Sequence, residues 1–377
     1  MRVVLWGTYD LGKPRTRILR SGLREIGVEL IEIHSDVWSG IEDKSQISQQ
    51  GSFGIVWRVV CSYPSLIWRY LRAPAHDVVL VPYLGQVDIL VLWIFAKIRG
   101  KPVVLDLFLS LYDTVVNDRK MARPTAPKAR ILKTLEWLAC RAANLVLLDT
   151  PSHARHVERL FSLPPGRTGS VPVGVEPGAF PRLDPRPAPG GRIRILFYGQ
   201  LIPLHGIQTI LDAALSAEGQ AFDWHLIGTG QELATVENAL SGPGAAHIRW
   251  DRWVDYDALI EAISDADICL GIFGTSDKAA SVVPNKVFQT LAAGRPVITR
   301  DSAAMRDFFP DPPAGLTLIP PSDPAALTAA IHQVAESGFP IIEPGQISFT
   351  NPPEIARKLR SMMEVHVRGR HATTITK

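Results

Sequence analysis

The sequence has few cysteines, little net charge and no long apolar run. Its 377 residues include three cysteines, at positions 61, 140 and 269, and their spacing matches neither a disulfide framework nor a metal site. This usage is typical of a reducing compartment, so we expect a cytoplasmic protein. The net charge of +3 argues against nucleic acid as a partner.

Apolar runs in the sequence are too short for a bilayer, which takes roughly 20 residues. The longest candidate covers residues 87–96 and contains Asp88. The amino terminus shows no secretory apolar region. We therefore expect neither a transmembrane span nor a secretion signal.

The length and the 46% hydrophobic content predict two domains. Buried strands alternate with helices over residues 1–180, a proline-rich linker follows at 181–191, and the alternation restarts over 192–345. This pattern predicts an α/β fold of two facing Rossmann-like parallel sheets, with ligands at the carboxyl ends of the strands in an interdomain cleft. A late amphipathic helix is predicted at 353–366 and a disordered tail at 367–377.

Residues 278–301 form the most informative stretch. Pro284 suits the first turn of a helix and Gly294 suits the position just past its end, and a buried strand is predicted at 295–299. The start of such a helix attracts phosphate, and Lys286 adds a positive charge there.

This stretch resembles the donor-binding segment of retaining GT-B glycosyltransferases of family 4. Members usually carry two glutamates eight positions apart, where this chain has Ser281 and Gln289. Gln289 can still bond to ribose hydroxyls as a neutral amide. The resemblance implies a GT-B fold whose last helix packs back onto the amino-terminal domain. The alternative is an ordinary βαβ crossover.

A second segment, residues 198–207, has the form of a phosphate-binding turn between a strand and a helix. It is similar to the G-x-L-x-x-x-K-G turn of the same family, with Gln200 and His205 in place of the usual basic pair. Lys286, Lys278 and a protonated His205 are therefore the expected cations for a diphosphate. The alternative for His205 is a bond to backbone only. The resemblance implies the donor-binding residues Gly199, Gln200, His205, Gly206, Val254, Lys278, Pro284, Asn285, Lys286 and Gln289.

The loop after the first strand, residues 7–14, resembles the family's amino-terminal glycine loop, which approaches the donor phosphates. Cations at a helix start oppose the helix dipole, so an anion is expected beside Arg15. The candidates for this phosphate loop are Gly7, Thr8, Gly12 and Arg15. Solvated surface arginines are the alternative.

Residues 106–120 form a polar run at the carboxyl end of a buried strand, where acceptors bind in this fold. The catalytic candidates are Asp106, Ser110 and Asp113. Phe108 stands where family members often have a histidine.

The resemblance implies a retaining, metal-independent transferase that moves a sugar from a UDP- or GDP-linked donor to a hydroxyl acceptor, without a cofactor. The acceptor class stays open between lipid-linked, cell-surface glycan and small-molecule acceptors. The departing phosphate takes the acceptor proton, so the protein positions the reactants and stabilises charge. The alternatives are a nucleotide-sugar epimerase of the same fold and a non-catalytic relative.

Two predicted helices suggest contact with the inner face of a membrane. Over residues 54–72, basic and small polar side chains form one stripe against an apolar surface that contains Trp57, Tyr63, Trp68 and Tyr70. Over residues 128–142, Trp137 lies between Lys133 and Arg141. Basic faces with interfacial aromatics suit anionic lipid. Helices packed on the sheet, with arginines reaching to solvent, are the alternative.

Overall fold

The chain divides into two compact units. The computed structural model describes residues 1–38, 49–176, 178–184, 191–340 and 342–374. Unit 1 comprises Met1–Asp113, Ala122–Gly174 and Asn351–Lys377, and unit 2 comprises Thr114–Met121 and Val175–Thr350. Sequence reasoning placed residues 114–121 in the first domain, but they belong to unit 2. Most of the predicted linker, residues 185–190, lies outside the described residues.

Unit 1 contains a six-stranded parallel sheet in the order β2-β1-β3-β4-β5-β6. Its strands are β1 Arg2–Gly7, β2 Glu29–His34, β3 Val78–Val81, β4 Val103–Phe108, β5 Leu145–Leu148 and β6 Thr168–Ser170. Its helices are α1 Pro14–Glu25, α2 Gln49–Leu71, α3 Gln86–Ile98, α4 Pro127–Ala142, α5 Pro151–Phe161 and, at the end of the chain, α13 Pro352–Thr374. The short β6 escapes sequence prediction because its three residues, Thr-Gly-Ser, contain no apolar run.

Helices cover both faces of the unit 1 sheet. Side chains from α2, α3, α4 and α5 share one core cluster with one face of the strands. Side chains from α1 and α13 share another cluster with the opposite face. Gly22 of α1 allows the close approach of α13, since a Cβ there would lie 2.2 Å from the carbonyl oxygen of Pro352.

The last helix is longer than predicted. α13 continues to Thr374, so residues 367–374 are helical where sequence reasoning expected a disordered tail. The reason is that no proline interrupts this stretch and the helix, already begun at Pro352, propagates at low cost. Residues 375–377 lie outside the described residues.

Unit 2 contains a second six-stranded parallel sheet in the order β12-β11-β10-β7-β8-β9. Its strands are β7 Arg194–Tyr198, β8 Asp223–Ile227, β9 Ile248–Asp251, β10 Ile268–Leu270, β11 Val297–Arg300 and β12 Leu316–Ile319. Its helices are α6 Ile207–Leu215, α7 Leu233–Leu240, α8 Tyr256–Asp265, α9 Asp277–Ser281, α10 Asn285–Ala292, α11 Ala303–Phe308 and α12 Pro324–Glu336.

Each sheet reverses its direction of growth once. In unit 1 the reversal lies between β1 and β3, and in unit 2 it lies between β7 and β10. Doubly wound sheets bind ligands in the crevice outside the carboxyl ends of the strands at such a point. The loops after β1 and β7 are therefore the expected ligand-binding positions of the two sheets, and both contain motifs found in the sequence. The predicted α/β fold class is confirmed.

Candidate functional site

The turn after β7 brings Gly199 next to Lys286 of α10. Gly199 has a φ of +144°, a conformation that favours glycine. A Cβ at this position would lie 3.0 Å from Lys286 Nζ and 3.0 Å from His205 Cε1. The 198–207 turn and Lys286 of the 278–301 stretch therefore lie together at the carboxyl end of β7.

Lys286 is a buried amine with no counter-ion in the described residues. It is 6% exposed, and its Nζ has no hydrogen-bond partner there. Its nearest aromatic neighbour is Phe197, whose ring centroid lies 3.8 Å from Nζ. Burial lowers the pKa of the Lys286 ammonium well below its ordinary value. Because an unpaired buried charge is costly, this site gains free energy from any anion that reaches Nζ.

Helix α10 presents its amino end beside this lysine. Pro284 is its N-cap residue and has no side-chain hydrogen-bond acceptor. The amides of the first turn of α10 therefore donate no capping bond to the N-cap side chain and can donate to an anion. The Tyr198 hydroxyl donates to the carbonyl oxygen of Lys286 over 3.3 Å, which ties the end of β7 to the helix. Helix amides and dipole together favour an anion at this point.

His205 differs from the expected protonated form. Burial lowers the pKa of His205 well below its ordinary value, and the charges of Lys286 and Arg119 lower it further. The ring is therefore neutral at neutral pH, and its Nδ1 bonds to the carbonyl oxygen of Gln200. In that tautomer Nδ1 carries the proton and Nε2 is an acceptor.

Arg119 is a cation of this site that sequence reasoning missed. Its Nη2 donates to Gln200 Oε1 over 3.3 Å, and its own carbonyl oxygen accepts a 3.0 Å bond from Gln231 Nε2. Arg119 belongs to the 114–121 segment of unit 2, although it lies 81 positions before Gln200 in the chain. The motif lacks its usual basic pair, and this arginine places a charge beside the same turn.

The same segment accounts for Lys278. The Lys278 ammonium is buried and donates to the hydroxyl of Thr114. Nearby, Ser276 Oγ donates to Asp118 Oδ1 over 2.8 Å. Lys278 thus holds the segment that carries Arg119, whereas sequence reasoning expected it to meet the diphosphate.

The other predicted donor residues of unit 2 lie after β7, after β9 and on α10. Gly206, with a φ of +66°, leads into α6, and its Cβ would lie 2.6 Å from the backbone of Phe273. Asn285 and Gln289 are half-buried on α10, and Val254 is half-buried between β9 and α8.

In unit 1 the predicted phosphate-loop and catalytic residues bind one another. Arg15 Nε lies 2.8 Å from both carboxylate oxygens of Asp106, Arg15 Nη2 lies 2.7 Å from Oδ1, and both residues are buried. Burial raises the pKa of the Asp106 carboxyl, and the Arg15 guanidinium opposes that rise. The anion expected beside Arg15 is therefore Asp106 itself. This pair leaves neither residue free for a phosphate or an acceptor.

The glycine loop after β1 is likewise occupied by protein groups. The Thr8 amide donates to Asp88 Oδ2 over 2.7 Å, and a Cβ on Gly7 would lie 2.2 Å from the same oxygen. The Gly12 amide donates to Asp10 Oδ1 over 2.9 Å. These amides therefore hold the turn, contrary to the expectation that they meet donor phosphates. Asp88, which sequence reasoning used only to argue against a membrane span, organises this loop.

Ser110 lies in the loop after β4, Asp113 begins the π-helix Asp113–Asp118 that follows, and Glu136 of α4 holds this segment. Ser110 Oγ donates to Glu136 Oε2 over 2.6 Å, and the amide of Asp113 donates to Ser110 Oγ over 3.0 Å. Burial raises the pKa of the Glu136 carboxyl, and the hydrogen bonds it accepts oppose that rise. Asp113 Oδ1 lies 3.2 Å from His156 Nε2. Neither Glu136 nor His156 belongs to a motif, so sequence reasoning had no signal for them.

One cavity lies away from these loops. A volume of about 410 Å³ opens at the amino ends of β7 and β8, lined among others by Arg194 and His225. Ligands in doubly wound sheets bind at the opposite edge, so we do not assign the donor to it. Among the described residues, no group of three or more histidine, cysteine, aspartate or glutamate side chains is arranged to hold a metal ion.

Residues 192–337 match the profile of a protein family described as glycosyl transferases group 1. The matched range contains the Gly199 turn, Lys286 and all of the β7–β12 sheet. No curated protein matches the chain by sequence.

Solved structures with similar folds extend the likeness beyond the matched range. Sucrose-phosphate synthase from Thermosynechococcus elongatus is 14% identical with a TM-score of 0.63, and the match covers 100% of both chains. The lipopolysaccharide outer core galactosyltransferase WaaB, in its apo form, is 14% identical with a TM-score of 0.64 over 97% of this chain and 100% of that one. Anabaena HepE, solved in complex with UDP, is 11% identical with a TM-score of 0.59 over 100% of both chains. At these identities the likeness establishes the GT-B fold, and together with the domain match it supports a glycosyltransferase of class EC 2.4.

Proposed function

We propose that this protein is a retaining glycosyltransferase of the family 4 type, which transfers a sugar from a nucleoside-diphosphate sugar to a hydroxyl acceptor without a metal. The observation that carries the proposal is the buried amino group of Lys286, which lies beside the Gly199 turn and has no hydrogen-bond partner in the described residues. A diphosphate brings about two negative charges. A buried cationic group stabilises such charges more strongly than the same group would in water.

Different residues of unit 2 bind the diphosphate and the ribose of the donor. Lys286, the first-turn amides of α10 and Arg119 stabilise the diphosphate as it leaves. Gln289, half-buried on the same helix, bonds to the ribose as a neutral amide. Since the departing phosphate takes the acceptor proton, these groups supply charge stabilisation and position, and no nucleophile is needed.

We propose UDP as the donor nucleotide, with GDP as the alternative. The support is the likeness in fold to Anabaena HepE, which has been solved with UDP and with UDP-glucose. On the acceptor side we propose the loop after β4, where Asp113 holds His156, the more exposed member of the pair. The acceptor class stays open between lipid-linked, cell-surface and small hydroxyl compounds.

Isothermal titration with UDP and with GDP tests the proposal. The unaltered protein should bind one of them, and Lys286→Met should weaken that binding by more than tenfold, equivalent to about 1.4 kcal/mol or more. Lys120→Met, at an exposed lysine of the same unit, is the matched control and should bind normally.

Three outcomes contradict parts of this proposal. If neither nucleotide binds, the non-catalytic relative is favoured. If a nucleotide sugar is converted without any acceptor, the epimerase is favoured. If NMR of the product shows the opposite anomeric configuration to the donor, the transferase is not retaining.

A further inference from the structure

Three adjacent helices of unit 1 carry four of the chain's nine tryptophans on their outer side. Trp57 and Trp68 of α2 are 63% and 57% exposed, Trp93 of α3 is 41% exposed and Trp137 of α4 is 36% exposed. Aliphatic side chains on the same helices are also exposed: Val56, Val60, Ile94, Ile98, Ile131 and Leu138. We call this surface the tryptophan face.

The tryptophan face is continuous because α2, α3 and α4 cover one side of a single sheet. Their inner side chains share one core cluster with the strands. Of the α2 aromatics that the sequence placed on this surface, Tyr63 and Tyr70 are buried in that cluster, whereas Trp57 and Trp68 face outward. Large exposed apolar patches on soluble domains mark interaction sites.

Each helix repeats the same pairing of tryptophan and cation. A basic residue lies four positions after the tryptophan and places its charge over the ring: Arg72 over Trp68 at 3.9 Å, Lys97 over Trp93 at 5.3 Å, and Arg141 over Trp137 at 4.6 Å. The helices also expose Arg58, Lys128, Arg130 and Lys133.

The exposed charge of the tryptophan face has a single sign. The sequences of α2, α3 and α4 contain two acidic residues, Asp88 and Glu136, and both are buried with hydrogen-bond donors around them. A surface whose exposed charges are all cations, and which also exposes tryptophans and aliphatic groups, complements an anionic surface with an apolar layer beneath it. No helix in the described part of the chain is long and apolar enough to cross a bilayer.

We propose that the tryptophan face docks this protein onto the surface of an anionic lipid bilayer. The cations bind lipid phosphates, and the tryptophans and aliphatic side chains enter the boundary between headgroups and acyl chains. A nucleic acid would use the cations but not the isoleucines and valines. A protein partner or a second copy of this chain would need acidic groups to match the cations, and such partners are outcomes of the test below.

Co-sedimentation with vesicles tests this proposal. The full chain should bind phosphatidylglycerol/phosphatidylcholine vesicles at low salt, bind pure phosphatidylcholine much less, and lose binding as salt rises. The triple variant Arg72→Gln/Lys97→Gln/Arg141→Gln should lower the partition coefficient by at least about 100-fold, because each basic residue near such a surface is worth about 1 kcal/mol. Trp68→Ser/Trp93→Ser/Trp137→Ser should also lower it.

Matched controls separate docking from loss of fold. Arg357→Gln/Arg360→Gln/Arg368→Gln removes the same charge from α13, on the opposite face of the sheet, and should leave vesicle binding unchanged. Trp253→Ser, at the 78% exposed tryptophan of unit 2, should behave likewise. All variants should keep their circular dichroism spectrum and their UDP affinity. The proposal is overturned if anionic vesicles do not bind, if binding ignores salt and lipid charge, or if the variants instead convert a dimer to a monomer in solution.

Discussion

Replacing Lys286 by methionine should stabilise the protein while it removes the donor site. The Lys286 ammonium has no hydrogen-bond partner in the described residues, and only the ring of Phe197 faces it closely. A desolvated cation–π contact returns about 2 kcal/mol, whereas taking an ammonium out of water costs several. Methionine keeps the volume and places a sulfur against the same ring.

The expected gain is on the order of 1 to 4 kcal/mol in the free energy of unfolding, as for other buried charges replaced by apolar groups. For a unit of this size that raises the melting temperature by about 2 to 4 °C per kcal/mol. The assay is thermal unfolding followed by circular dichroism, with and without UDP. At the same UDP concentration, the melting temperature of the unaltered protein should rise more than that of the variant.

The pH dependence follows from the lowered pKa of Lys286. The unfolded-state pKa of lysine is about 10.4. Between the folded-state pKa and this value, the unfolded chain binds one proton more than the folded protein. The stability of the unaltered protein therefore rises with pH in this window. The advantage of Lys286→Met should therefore be larger at neutral pH than at about pH 10.

Lys278→Met is the matched contrast. Its ammonium is also buried but donates to Thr114, and a hydrogen bond from a charged group is worth about 1.5 to 3 kcal/mol. This variant should melt at a lower temperature than the unaltered protein. If Lys286→Met also lowers the melting temperature at neutral pH, Lys286 has a stabilising partner and the reasoning about the donor site fails.

Further predictions concern the donor turn and the buried pair of unit 1. Arg119→Gln should weaken UDP binding several-fold in titration calorimetry while Arg123→Gln, at an exposed arginine close in sequence, leaves it unchanged; equal affinities would remove Arg119 from the donor site. UDP binding should take up protons near neutral pH, because an anion raises the lowered pKa values of Lys286 and His205. Calorimetric titrations in buffers of different ionisation enthalpy measure this uptake. Binding without proton uptake would contradict the prediction. Arg15→Met should destabilise unit 1 by about 3 to 5 kcal/mol in urea unfolding, since it leaves Asp106 buried and unpaired. Adding Asp106→Leu should recover much of that loss. If Arg15→Met alone leaves the free energy of unfolding unchanged, the two residues are not coupled in this way.

The proximity of Gly199 and Lys286 could be predicted from sequence because its signals are local. A strand, a glycine turn and a helix start are written in consecutive residues, and the apolar pattern that places β7 and α10 also places Gly199 and Lys286. The protonation of His205 could not be predicted in this way, because it depends on burial and on charges from other segments.

The partners of charged side chains were the least predictable part. Arg15 and Asp106 stand 91 positions apart, and nothing in either local sequence says that each neutralises the other. Arg119 reaches the donor turn only because its segment belongs to unit 2, which depends on the path of the chain and not on composition. Glu136 reads as one more charge on an amphipathic helix, yet it is fully buried and holds the loop after β4.

The membership of Thr114–Met121 in unit 2 has a consequence for hybrid enzymes. The chain passes from one unit to the other after Asp113, Met121, Gly174 and Thr350. A chimera that takes residues 175–350 from a different transferase would keep this chain's Arg119, and the reciprocal chimera would lose it. Nucleotide preference in such hybrids should therefore follow the parent of the short insert as well as the parent of the large fragment.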